Sequence, residues 1–203
     1  MPSLYVPNLK LMSSATLRQS KEKKLRQHAR VIWLTGLPCS GKTTIGIGLE
    51  QLLISRGFHV RLLDGDVTRK GICSDLGFSE DDRNENIRRI AEISKLFAES
   101  GIITINAFIT PTEKLRAVAR DIIGRDDFIN VFVNAPLNLC EERDIKGMYK
   151  KARNGEIKDF TGVSAPFEPP LEADFEINTS VSDPEQSIVK LFDSILPLIS
   201  IDK

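Results

Sequence analysis

Residues 36–43 read Gly-Leu-Pro-Cys-Ser-Gly-Lys-Thr, a GxxxxGK[ST] pattern. The apolar run Val31-Ile32-Trp33-Leu34 precedes it, and a helical stretch from Lys42 to about Arg56 follows, closed by Gly57. Strand, glycine-bearing turn and helix in that order open a parallel α/β sheet. The chemistry needs each part. Gly36 and Gly41 permit backbone angles that a side chain would obstruct. The loop N–H groups then turn inward and form an anion nest, to which the helix N-terminus adds partial positive charge. Lys42 is placed to reach the β- and γ-phosphates of ATP, and the Thr43 hydroxyl to ligate Mg²⁺. Cys39, inside the loop, reads as a small filler rather than a nucleophile.

The rest of the chain keeps the alternation. Strand-like runs recur at 59–63, 102–105, 128–133 and 175–177. Helical spacing recurs over 82–100, 112–123, 137–143 and 182–199. Such alternation predicts a central parallel sheet of about five strands with helices on both faces, the P-loop NTPase arrangement. Residues 145–172 are basic and then punctuated by Gly and Pro, which reads as a mobile lid. Residues 1–17 lack a clear period and read as a mobile extension. Residues 18–30 carry Arg18, Lys21, Lys23, Lys24, Arg26 and Arg30 against Glu22. They read either as a solvated helix or arm, or as a basic flap meeting an anionic ligand or a partner subunit. The expected organisation is thus an extension with a basic arm over 1–30 and one P-loop domain over 31–203.

Charge narrows the partners. Lys+Arg and Asp+Glu both number 28, so the formal net charge is zero. Nucleic acid and anionic membrane surfaces demand a basic excess, whereas a small anion needs only a local patch. The three cysteines, Cys39, Cys73 and Cys140, are widely spaced and form no CxxC. That pattern argues against a disulfide framework or zinc site and fits a reducing cytoplasm. No apolar run is long enough for a membrane span, and residues 1–14 lack the features of a secretory signal.

The phosphate acceptor must be read elsewhere. The second strand runs into Asp64-Gly65-Asp66, followed by Arg69. Carboxylates at the carboxyl edge of a parallel sheet can order Mg²⁺-bound water or accept the proton of an attacking hydroxyl; simple turn chemistry is the plainer reading. Further on, Arg83 and Asn86 share a helix face, with Phe78 just before it. Together they suit an anion, a polar edge and a base, but a charged, solvated helix start explains them equally well.

The run Leu76-Gly77-Phe78-Ser79 through Asp82-Arg83, Asn86 and Arg88-Arg89 closely resembles that of the adenylylsulfate kinases (APS kinases). Phe108-Ile109-Thr110-Pro111, Lys146-Gly147-Met148-Tyr149-Lys150-Lys151-Ala152-Arg153 and Gly155-Glu156-Ile157-Lys158-Asp159-Phe160-Thr161-Gly162 resemble three further segments of that family. The likeness runs from about residue 18 onward. It implies transfer of the ATP γ-phosphoryl to the 3′-hydroxyl of adenosine 5′-phosphosulfate (APS), giving PAPS and ADP. It implies that Cys39, Ser40, Gly41, Lys42, Thr43 and Thr44 hold the ATP phosphates. The APS site would comprise Asp66, Arg69, Phe78, Arg83 and Asn86, with Ile109, Thr110, Lys146, Asp159 and Phe160 opposite. Arg69, Arg83 and Lys146 would neutralise the phosphosulfate, and Phe78 and Phe160 would sandwich the adenine. Lys42, Asp64, Asp66 and Thr110 are the expected catalytic set. The family pattern usually has Ser at position 110, which in some members is a phospho-acceptor. Here Thr is stiffer, and direct transfer is expected, with Thr110 positioning APS. The resemblance also implies a homodimer.

Overall fold

The structure, a computed structural model, describes residues 13–201. A helix, α1 (Ser14–Leu25), leads into strand β1 (Val31–Thr35) and helix α2 (Lys42–Ser55). Then come β2 (Val60–Asp64), the four-residue helix α3 (Gly65–Thr68), α4 (Glu80–Glu99), β3 (Ile103–Ala107) and α5 (Glu113–Ile123). The chain continues through β4 (Phe128–Asn134), α6 (Leu137–Arg143), α7 (Met148–Arg153), β5 (Phe175–Asn178) and α8 (Pro184–Ile199). The five strands are all parallel, in the order β2-β3-β1-β4-β5.

Alternation along β1 makes two cores. Ile32 and Leu34 face a layer built from α2 and α8, including Leu49, Leu53, Leu191 and Ile195. Val31 and Trp33 face the opposite layer of α4 and α5, including Ile87, Ile90, Leu115 and Ala119. Both faces of the sheet are therefore covered, as a parallel sheet requires. Local signals set the helix starts: Ser79 accepts from Asp82 N at 3.1 Å, and Glu80, Asp81 and Asp82 put negative charge in the first turn of α4. Asp183 caps α8 in the same way, with Pro184 in its first turn.

Two readings need revision, and a third, over 18–30, is decided in favour of the solvated helix. Residues 1–12 of the expected extension lie outside the described residues, but 14–17 already belong to α1, capped by Ser13. Segment 18–30 is a largely solvated helix followed by a tightly held link. Arg18 forks onto Asp127 at 2.5 and 2.7 Å, and Glu22 accepts from Ala29 N at 2.9 Å. Gln27, fully buried, donates to the carbonyls of His59 and Gly101, both at 2.8 Å, and accepts from His59 N at 2.7 Å. These partners precede β4, β2 and β3. The segment thus grips the amino ends of the strands, opposite the phosphate loop, and within this chain it is not a flap over a ligand. The predicted lid, read as a loop, contains α7 and a small core of its own: Tyr149, Ala152 and Phe160 packed with Ala135 and Cys140. No helix among the described residues is long and apolar enough to cross a membrane.

Candidate active site

The phosphate loop emerges from the carboxyl end of β1 at the centre of the sheet. A Cβ at Gly36 would collide with the Val133 carbonyl and lie 2.8 Å from Ser40 Oγ, so only glycine fits. Gly41 has φ 105°, in the range that favours glycine. Lys42 is buried and donates to the carbonyls of Gly36 (2.9 Å) and Leu37 (2.6 Å). Burial pushes its ammonium down to about 8, against the attraction of Asp64 and Asp66. Ser40 Oγ is buried and has no hydrogen-bond partner among the described residues. Thr43 and Thr44 are exposed at the start of α2. Cys39 packs against the lid core as a half-buried apolar group.

Thr43 Oγ1 donates to Asp64 Oδ2 at 2.7 Å, while Asp64 Oδ1 accepts from Asp66 N at 2.9 Å and caps α3. Asp64 is thereby fixed between the loop and β2. A hydroxyl and a carboxylate side by side at a helix N-terminus are hard oxygen donors of the kind Mg²⁺ prefers alongside phosphate oxygens, and no cage of three His, Cys, Asp or Glu side chains exists among the described residues. Asp66 is exposed and paired with Lys146, so a lid cation meets the carboxyl edge of β2 directly.

Arg69 lies over the exposed Phe78 ring, 4.4 Å from its centroid, and donates to Gly77 O at 2.8 Å. Arg83 donates to Phe78 O (2.9 Å), Asp159 O (2.5 Å) and Thr161 Oγ1 (3.1 Å). It is the carbonyl of Asp159, at φ 55°, that takes part rather than its carboxylate. Burial, and then repulsion from Arg69, lowers the pKa of Arg83. Two guanidiniums near enough to repel, both hydrogen-bonded only to neutral groups among the described residues, form a site that gains most from an anion. Asn86 is buried, and its Oδ1 has no hydrogen-bond partner among the described residues.

Ile109 contributes backbone: its carbonyl accepts from Thr35 Oγ1 at 2.7 Å and Gly36 N at 3.3 Å. Thr110 is 1% exposed, at φ 43°, and its hydroxyl accepts from Trp33 Nε1 at 2.8 Å. Phe160 is buried, edge-on to Tyr149 with centroids 5.0 Å apart. Phe78 is an open platform, and Phe160 is a wall of the lid core.

Several contributors carry no sequence signal of their own. Arg143 donates to Thr179 O (2.7 Å) and Thr179 Oγ1 (3.1 Å), and that hydroxyl reaches Ser40 O at 2.8 Å, tying the end of β5 to the loop. Tyr149 OH donates to Pro38 O at 3.1 Å and anchors α7 on the phosphate loop. Only the KGMYKKAR likeness pointed toward Tyr149.

The family model described as adenylylsulphate kinase matches residues 28–178, which include the loop, the Asp64–Arg69 element, the Phe78–Arg83 segment and the lid. The chain belongs to the adenylylsulphate kinase family. An adenylyl-sulfate kinase of Bacteroides thetaiotaomicron is 56% identical over 182 residues, covering 90% of each chain. One of Clostridium acetobutylicum is 49% identical over 172 residues, covering 85% of each. The Mycobacterium tuberculosis APS kinase solved with AMPPNP and APS superimposes with TM-score 0.80 at 37% identity, over 83% of this chain and 98% of that one. This family assignment accounts for a phosphate loop that shares its sheet edge with Arg69, Phe78, Arg83 and a basic lid segment.

Proposed function

We propose that the protein transfers the γ-phosphoryl of ATP to the 3′-hydroxyl of APS, giving PAPS and ADP. The observation that carries this reading is the Arg69–Arg83 pair beside Phe78, held against the lid at the same sheet edge as the phosphate loop. A double-headed anion with a purine matches that pairing of cations and an exposed ring.

In this reading, Gly36 and the loop from Cys39 to Thr44 bind the ATP phosphates. Lys42 leaves its two carbonyl partners for the β- and γ-oxygens. Thr43 and Asp64 would hold Mg²⁺, which supplies charge neutralisation on the phosphates when bound. Asp64, with both oxygens already engaged, is assigned to the metal side. Asp66 is assigned to the acceptor: its carboxylate takes the proton of the 3′-hydroxyl as the new O–P bond forms and the bond to the ADP oxygen breaks. Arg69, Arg83 and Lys146 hold the phosphosulfate; Phe78, Asn86, Ile109, Thr110, Asp159 and Phe160 shape the adenosine pocket. The Thr110 hydroxyl, buried on the Trp33 indole, supports direct transfer without a phosphothreonine. We place the enzyme in the cytoplasm as a homodimer, the latter tested by light scattering.

The deciding experiment measures ADP release from ATP and Mg²⁺ with and without APS, following PAPS by chromatography. APS-dependent ADP release with matching PAPS is expected. Nucleotide binding without such turnover would sink the assignment and favour another hydroxyl acceptor or a silent nucleotide-binding module.

A further inference from the structure

Arg116, on α5, is only 1% exposed although it carries a full charge. Its Nη1 donates to the Thr110 carbonyl at 2.9 Å, and its Nη2 to the Glu168 carbonyl at 2.8 Å. Glu113 balances the charge, its Oε2 lying 3.0 Å from Nε and 2.9 Å from Nη2. Around this fork, Glu168 N donates to Pro111 O at 2.8 Å and Glu113 N donates to Glu168 Oε2 at 2.8 Å. Residue 168 is therefore held to the 110–113 turn by two direct hydrogen bonds, and a third, from the buried Arg116 of α5, joins its carbonyl to the same cation that holds Thr110. One residue earlier, Phe167 stacks on Phe132 of β4, with centroids 6.2 Å apart.

Each end of this clamp belongs to a part that must be placed accurately. Thr110 is a β-branched residue in the left-handed region, a conformation that persists only where its surroundings impose it. Glu168 lies just downstream of the lid segment whose Asp159 and Thr161 meet Arg83. A buried arginine is costly unless its fork is fully used, and here two donors are spent on carbonyls from separate segments.

We propose that Arg116 is a positioning residue for the transfer reaction: it locks the acceptor-side turn at Thr110 to the downstream root of the lid at Glu168, so that the lid swings from a fixed hinge and closes in register with the APS pocket. The kinetic part of this inference rests on the kinase reading above; the structural part does not.

The test compares Arg116→Lys, Arg116→Met and Glu113→Gln with the parent chain. An ammonium reaches one carbonyl, a thioether neither, and Glu113→Gln leaves both carbonyl bonds in place. For the two Arg116 variants, kcat/KM for APS should fall roughly 10- to 100-fold, the effect of losing one charge-assisted hydrogen bond, with KM for ATP within about twofold. Glu113→Gln, which removes the countercharge but leaves both carbonyl bonds, should lower Tm yet reduce kcat/KM for APS less than either Arg116 variant; a loss as large as theirs would count against the clamp. Amide exchange over 162–172 should accelerate in both Arg116 variants. Ile195→Ala, in the α2–α8 core, serves as a destabilised control matched by Tm. Parallel loss for ATP and APS, the same split in the matched control, or unchanged exchange over 162–172 would overturn the clamp. If Arg116→Met does not fold, Arg116→Lys decides. A parent chain without APS-dependent turnover would refute the kinase reading, and the exchange measurement alone would then decide the clamp.

Discussion

A single buried ammonium sets much of the site's behaviour. Lys42 is held by two carbonyls and, with its pKa near 8, loses its proton in the free protein as pH rises through that value. Binding of a non-hydrolysable ATP analogue should be flat below about pH 8 and weaken above it, as read by calorimetric titration. A flat profile to pH 10 would place the ammonium elsewhere. The linkage to stability has the opposite sense. Between about pH 8 and the ordinary lysine value of 10.5, the unfolded chain binds the extra proton. The cost of burying Lys42 is therefore complete below pH 8 and fades as pH climbs through that window. Gly36→Ala should abolish nucleotide binding, because the new methyl meets the backbone of Val133, which cannot rotate away; retained affinity would contradict the loop geometry. Arg83→Ala should raise KM for APS by roughly tenfold or more while sparing ATP, and equal losses would remove Arg83 from the acceptor site. At this scale the phosphate loop was legible because its parts lie within eight residues. Arg116, Arg143 and Thr179 were not, since each acts on backbone far away in sequence, and no spacing rule marks such a partner.

Elements follow the same division. The apolar positions of α4 and α5 and the continuous apolar strands were readable, because periodicity records which face is buried. The helices α3 and α7, four and six residues long, were not. Neither is long enough to display a period, and each owes its start to one aspartate: Asp64 caps α3, and Asp144 accepts from Tyr149 N and Lys150 N at 3.0 Å each. In the segment after α1 the charge pattern foretold the solvated helix but not its anchoring, in which the buried Gln27 amide joins three backbone groups that sequence spacing does not mark. Gln27→Ala would leave the His59 N–H and the Gly101 carbonyl without their partner, while the His59 carbonyl keeps Ile103 N, and should cost roughly 1–3 kcal/mol, measurable by denaturant titration. A loss near zero would show the segment to be dispensable.

For the whole molecule, neutrality matters as much as any residue. With a formal net charge of zero there is no overall field to draw in an anion, so in the proposed reaction that task falls to the local group of Arg69, Arg83 and Lys146. Raising salt from about 0.05 to about 0.5 M should therefore reduce kcat/KM for APS only severalfold. A fall of several orders of magnitude would require long-range steering that the composition does not provide. Sequence alternation foretold a parallel sheet, but not that β1 would sit third of five, because strand order depends on crossovers that periodicity does not encode.

The link after α1 also closes on the far end of the described chain. His28 N donates to Ile199 O at 2.8 Å, and Gln27 bridges to Ser200. During synthesis, residues 27–28 leave the ribosome long before 199–200 exist, so this seam forms later than the contacts made within residues 28–198 can. A nascent chain can assemble the phosphate loop and its neighbouring strands while one edge of the amino end stays open, and a chain stalled before residue 199 would present that open edge to chaperones and proteases.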